Sequence, residues 1–226
     1  MRFLFGIYLA LVLAVFSSCR NKPEDLMTAS ANGDLGRVQQ LLRDGAKVNQ
    51  RDRNGKTAIH YAAQSKNVVV VQTLIQAGAD VNATSAGNVT PLMLSVDMAF
   101  GQPDISLALI KAGADVNAAD EDGNTALIIA ATESSDEVFQ TLLEKGANVN
   151  ARGLNGGTAL HYAAMNAFSD RARLLLAHGA DVTIRNSAGQ TPYDVANATN
   201  PDKEVQARFQ EMRELLLAAM AKHPKS

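Results

Sequence analysis

The chain has no tryptophan, and aromatic residues make up only 5% of it. Base-stacking platforms for single-stranded nucleic acid are therefore not expected. Charge argues the same way, because 21 Lys and Arg stand against 23 Asp and Glu and no basic stripe runs along the chain. Cysteine occurs once, at Cys19, which excludes an internal disulfide framework. The four histidines, His60, His161, His178 and His223, include no pair at a metal-ligand spacing. Nothing marks a nucleophile elbow, and the glycines fall at turns and helix ends instead of forming a phosphate cradle. The composition points away from an enzyme: no catalytic residue, no metal and no cofactor is expected, and nucleic acid is not an expected partner.

What the chain does have is a beat. "TAIHYAA" at 57–63 returns as "TALHYAA" at 158–164. Five endings, "LLRDGAKVN", "LIQAGADVN", "LIKAGADVN", "LLEKGANVN" and "LLLAHGADVT", put glycines at Gly45, Gly78, Gly113, Gly146 and Gly179, in steps of 33, 35, 33 and 33. Thr57, Thr90, Thr125, Thr158 and Thr191 each follow one of those glycines by 12 residues. A fixed period of this length predicts a solenoid whose units bury their apolar faces only against their neighbours.

Each unit reads chemically. The threonine suits a helix N-cap, and Pro91 and Pro192 sit at the first helical position, where a missing N–H costs nothing. Ala62/Ala63, Ala130/Ala131 and Ala163/Ala164 predict a tightly packed inner helix. Val70/Val71 with Leu74/Ile75, and Val138/Phe139 with Leu142/Leu143, predict a second helix with one buried stripe. The recurring glycine lies where a helix ends in a left-handed residue. Asn-Gly and Asp-Gly in "RDRNGKT" and "DEDGNT" predict tight hairpin turns between units.

This pattern resembles the ankyrin repeat, whose units carry a turn, a "TPLHxAA" first helix and a "LLxxGADVN" ending. The resemblance implies an all-α repeat solenoid of helix-turn-helix units joined by β-hairpin-like loops. A domain over 26–222 is expected, with six units at about 24–49, 50–82, 83–117, 118–150, 151–183 and 184–222. "TPLMLS", "TALIIAA" and "TPYDVA" are weaker copies of the first phrase. Lys66, Ser134 and Ala167 stand where the family usually has glycine, and Arg171 replaces an apolar residue of the fifth stripe. His60 and His161 fill the family's histidine slot, which implies hydrogen bonding between units. Both ends read as caps. The last helix places Val205, Phe209, Met212, Leu216 and Met220 on one face after Asn200 and Pro201. It either covers the final unit or binds a partner.

The first 19 residues are of another kind: Arg2, an uncharged run of 14 residues from Phe3 to Phe16, two serines, then Cys19. That run is short for a membrane span and has the order of a secretion signal. It is similar to a bacterial lipoprotein signal, although Phe16 stands where an aliphatic residue is usual. The resemblance implies a leader over 1–18, lipidation at Cys19 and a tether over 19–25. Cleavage after Ser17 and an uncleaved anchor are the alternatives. A lipid-anchored protein exported to the envelope and facing the periplasm is expected, and Arg20 favours the outer membrane if the host is Gram-negative.

In ankyrin proteins the hairpin tips and the exposed side of the first helices form a concave face. The resemblance implies a non-catalytic module, acting as a monomer, that binds a protein partner there. The tips carry Arg51, Arg53, Asn54 and Lys56, then Ser85 and Asn88, then Glu121, Asp122 and Asn124, then Arg152, Leu154 and Asn155. On the helices Gln64, Asp97, Thr132 and Met165 occupy the exposed slot, and Met98 and Phe100 add an apolar spot in the inserted loop. These residues are expected to be free of packing duty, with the interface centred on units four and five, where Leu154 and Met165 are apolar. The alternative functions are an immunity or inhibitor protein against an exported toxin, or an accessory of a periplasmic enzyme in oxidative-stress defence.

Overall fold

The computed structural model describes residues 23–97, 103–133, 135–196 and 203–222. Its helices form pairs. They are α1 Pro23–Ala31 with α2 Leu35–Arg43, α3 Ala58–Ala63 with α4 Val68–Gln76, and α5 Pro91–Asp97 with α6 Pro103–Lys111. Then come α7 Ala126–Glu133 with α8 Asp136–Glu144, α9 Ala159–Met165 with α10 Ser169–Ala177, and α11 Pro192–Val195 with α12 Lys203–Lys222. The odd-numbered helices pack on one another in chain order as an inner layer, and the even-numbered ones form an outer layer behind them. Among the described residues the only β pairing is an isolated bridge between Ala119 and Thr125.

Helix α3 has six residues, far too few to persist alone in water. It holds because Ala58, Ile59, Ala62 and Ala63 are buried, and the small alanines let α1 and α5 approach from either side. The outer helices supply the bulk: Val70, Val71 and Leu74 of α4, and Val138, Phe139 and Leu142 of α8, are fully buried. Each outer helix from α2 to α10 then stops in the same way. At Gly78 the backbone turns left-handed (φ +84°), and the Ala79 N–H reaches back to the Leu74 carbonyl at 2.9 Å.

The departures from the repeat have physical solutions. Ala167 adopts the left-handed conformation itself (φ +53°), at a strain of roughly 1–2 kcal/mol, and the Phe168 N–H closes the turn on the Ala163 carbonyl. Near Lys66 the burden passes to Asn67, which caps α4 and donates its amide to the Gly33 carbonyl at 2.8 Å. Ser134 lies outside the described residues. Arg171 does not simply weaken the fifth stripe, as its charge suggests. Its side chain is only 12% exposed, with the guanidinium over the Phe139 and Phe168 rings, donating to the Ala130 carbonyl and to Asp136. A flat cation between two aromatic faces fills the space an apolar side chain would.

Helix α12 closes the array. Met212 and Leu216 are fully buried, Phe209 and Met220 are half-buried, and the helix packs on α10 and α11. It covers the final unit. Asn200 and Pro201 lie outside the described residues. Replacing Leu142 by Ala would empty a site with no solvent access, so a loss of about 2–5 kcal/mol is expected in urea unfolding. Unchanged unfolding would show that the unit boundaries are misplaced.

Candidate protein-binding face

The loops between units are short fingers closed by a backbone pair. The Asp52 N–H donates to the Lys56 carbonyl at 2.9 Å, and Ser85 with Val89, Asp120 with Asn124, Gly153 with Gly157 and Asn186 with Gln190 repeat it. Among the described residues the expected two-residue turn, with two successive left-handed residues, occurs only at Gly87–Asn88 and Asn155–Gly156. At Asn54-Gly55 and Asp122-Gly123 only the glycine is left-handed. There an Asp at the finger base satisfies the tip instead: Asp52 accepts from the Asn54 and Lys56 N–H groups, and Asp120 from those of Asp122 and Asn124.

Each finger is stitched to the next. The Ala86 N–H donates to the Asn54 carbonyl, Glu121 to Gly87 and Ser187 to Asn155, while the Leu154 N–H takes the Asn124 side-chain oxygen. The third and fourth fingers approach so closely that a Cβ on Gly123 would lie 2.5 Å from the Arg152 carbonyl oxygen.

Behind the fingers two kinds of side chain tie unit to unit. The Thr57 N–H donates to His60 Nδ1 at 3.1 Å, which leaves Nε2 to carry the proton and donate to the Val89 carbonyl of the next unit at 3.2 Å. His161 repeats this with Thr158 and Gln190. In the weaker copies Met93 and Ile128 fill the slot with apolar bulk, and Asp194 accepts from both the N–H and the hydroxyl of Thr191. The second tie is the asparagine of each ending. Asn49, Asn82, Asn117 and Asn150 each donate to the carbonyl of the next unit's glycine, at Gly78, Gly113, Gly146 and Gly179. Each also accepts the N–H two residues beyond that glycine, at Asp80, Asp115, Asn148 and Asp181. The recurring Asn of "GADVN" was the available signal for this ladder.

The expected face is thus assembled, but not all of its residues are free. Arg53, Asn54, Asn88, Glu121, Asp122, Leu154 and Asn155 are exposed on the fingers, and Gln64 and Met165 on the helices, with Leu154 and Met165 47% and 52% exposed. Lys56 is half-buried, its ammonium over the Tyr61 ring. Ser85 is buried, its hydroxyl bonded to the Val89 carbonyl. Asn124 is held by Asp120 and Leu154, and the Thr132 hydroxyl donates to Ile129. Arg51 donates to the Gly55 and Thr84 carbonyls and Arg152 to that of Arg185, so both charges are exposed while their N–H groups brace the next finger. Met98 and Phe100 lie outside the described residues, as do the Asp97 side chain and Cys19.

Sequence reasoning missed a row. The residue after the histidine slot, read as Tyr61, Leu94, Ile129, Tyr162 and Val195, is half-buried in the second to sixth units and floors the concave face between fingers and inner helices. The Tyr61 hydroxyl donates to Asp52 at 2.6 Å and that of Tyr162 to the Leu154 carbonyl. Burial works against the Asp52 carboxylate, but the Tyr61 hydroxyl and the Lys56 and Asn54 N–H groups outweigh it and hold its pKa below the usual range. Burial lowers the pKa of both His60 and His161, and neighbouring cations lower them further.

A family model described as ankyrin repeats (3 copies) matches residues 26–120 and 98–186. The chain is similar to a putative ankyrin repeat protein of Escherichia coli (strain K12), 38% identical over 78 residues, which are 34% of this chain and 39% of that protein. It is also similar to the human mitochondrial disaggregase, 43% identical over 74 residues, 32% of this chain and 10% of that protein. The matches span less than half of either relative's length. Among solved structures, it is similar to a chain of the complex between a predatory endopeptidase from Bdellovibrio bacteriovorus and an immunity protein. There the TM-score is 0.73 and the identity 28%, over 88% of this chain and 99% of that one.

Two outcomes follow from these ties. Because the folded state lowers the pKa of His60 and His161, the unfolded chain takes up protons first as pH falls. Their contribution is whole above the unfolded value of about 6.5 and is lost as pH drops below it. Urea midpoints between pH 7.5 and 5 should fall, and fall less in a His60→Asn/His161→Asn variant; an equal fall in both would exclude the histidines as the cause. Asn117→Ala removes bonds to the Gly146 carbonyl and the Asn148 N–H. It should cost about 1–3 kcal/mol, against no measurable change for Gln64→Ala on the exposed helix side.

Proposed function

The chain belongs to the ankyrin repeat family, and we propose that it is a non-catalytic module, tethered in a bacterial cell envelope, that captures a protein partner on its concave face. The observation that carries this reading is the exposure of Leu154 and Met165. Two large apolar side chains are about half exposed there, one on the finger whose Leu154 carbonyl accepts from half-buried Tyr162 and the other three residues along α9 from Tyr162. Exposed apolar groups beside an aromatic floor suit a desolvated anchor site, with acidic Glu121 and Asp122 on the adjoining finger and basic Arg152 at the base of Leu154's own finger to set register. The tether is supported by the leader's order of parts and by the two serines before Cys19.

A second reading is favoured by the structural neighbour, which is held in complex with an endopeptidase. In it this chain is an immunity or inhibitor protein, and its partner is an exported hydrolase whose active cleft the concave face blocks.

Affinity capture from detergent-solubilised envelopes tests the face. A Leu154→Asp/Met165→Asp variant should melt with the parent yet bind the captured protein at least about 30-fold more weakly, the loss of one good anchor. Binding that survives would move the interface elsewhere on the molecule. Inhibition of the captured protein's hydrolytic activity separates the immunity reading from simple scaffolding. For the tether, a fatty-acid probe should label the parent and not Cys19→Ala; equal labelling of both would refute lipidation at this residue.

A further inference from the structure

Charge divides this chain unevenly along its length. Residues 20–56 carry eight Lys and Arg against five Asp and Glu, a balance of +3, whereas residues 57–226 carry twelve against eighteen, a balance of −6. The fold concentrates the first group. Helices α1 and α2 run antiparallel in one unit, so the end of α2 at Arg43, the loop at Lys47 and the first finger all lie at the end of the layer where the chain enters α1 at Pro23. Arg43, Lys47, Arg51 and Arg53 are exposed there, with Lys56 half-buried beside them. The ion pairs at Arg171, Arg173 and Arg185 lie elsewhere, and this end also carries exposed Asp44 beside Arg43 and half-buried Asp25 in the first turn of α1, so its character is an excess of cations over carboxylates. The one carboxylate of the finger, Asp52, faces inward onto Tyr61 and the finger's own N–H groups.

We propose that this finger end of the first two units is a docking surface for anionic lipid headgroups, and that it orients the solenoid on the membrane. The inference rests on the lipid-anchored reading of Cys19. Four residue steps separate Cys19 from Pro23, a contour of at most about 14 Å. Attraction between exposed charges and a surface reaches about 8–10 Å at physiological salt. The anchor therefore holds this basic end within reach of the headgroups, and each cation near an anionic surface favours contact about fivefold. An acidic protein could match the charges, but it would not be held beside them by the same four residues. The acidic remainder of the solenoid is repelled from the surface, which leaves Leu154 and Met165 on the side open to a partner.

The test uses the full-length acylated protein inserted through its anchor into phosphatidylcholine vesicles with or without phosphatidylglycerol. Acylated Cys19 offers no thiol, so a fluorophore is placed at Asn54→Cys on the first finger or Ala188→Cys on the last, with nitroxide-headgroup lipid as quencher. The label at position 54 should be quenched more strongly in anionic than in neutral vesicles, and the label at 188 should not. Lys47→Glu/Arg53→Glu should abolish the difference at 54 without shifting the melting temperature. Equal quenching in both vesicle types, or a difference that survives the charge reversal, overturns the proposal. So does capture of an acidic protein that needs Lys47 and Arg53 and is indifferent to lipid. An intact mass without acyl chains sinks the anchored reading and this inference together, whereas an acylated protein with no headgroup contact sinks the inference alone.

Discussion

No unit of this chain can bury its own apolar stripe, and the rest of the structure depends on that. Inner helices of four to nine residues and, α12 apart, outer ones of nine have too few internal hydrogen bonds to persist alone. Every energetic term that matters therefore lies between units. Alanine faces let inner helices nest, His60 and His161 reach the next unit's carbonyls, and the asparagine ladder binds the loops behind the glycines. Such a molecule is quasi-one-dimensional: its stability is a sum over neighbouring interfaces, and a weak interface is felt locally.

Much of this was legible because the period is long and the beat is regular. Thr57, Gly78 and their counterparts mark helix starts and stops through local backbone chemistry, which a sequence carries directly. What was not legible depends on a neighbour a period away. Arg171 reads as a charge in an apolar stripe until Phe139 and Phe168 are seen on either side of its guanidinium. Arg51, Ser85 and Arg152 read as free tip residues, yet the adjoining finger decides whether a tip side chain is a brace or a contact. The Tyr61, Leu94, Ile129, Tyr162 and Val195 row escaped notice because its chemistry varies while its position does not.

The concave face thus has two layers of commitment. Groups at the finger bases are consumed in holding fingers at a fixed spacing, which makes the tips a rigid comb. Rigidity is useful for recognition, since little ordering entropy remains to be lost when a partner arrives. The exposed set is correspondingly small, and specificity falls to a few anchors and to the alternation of charge along the comb.

Thr183 stands where Asn49, Asn82, Asn117 and Asn150 stand in the earlier endings. Its hydroxyl turns back to Asp181 in its own loop and reaches for no glycine beyond. The ladder copies itself forward only where an amide offers a donor and an acceptor together, and a hydroxyl whose proton is spent in its own loop has no donor left to offer. The substitution therefore acts as a stop signal in the template: an extra unit grafted after this point would meet a neighbour with no amide to donate to its glycine carbonyl. Lengthening the array is a matter of restoring one amide and removing the helix that covers the end.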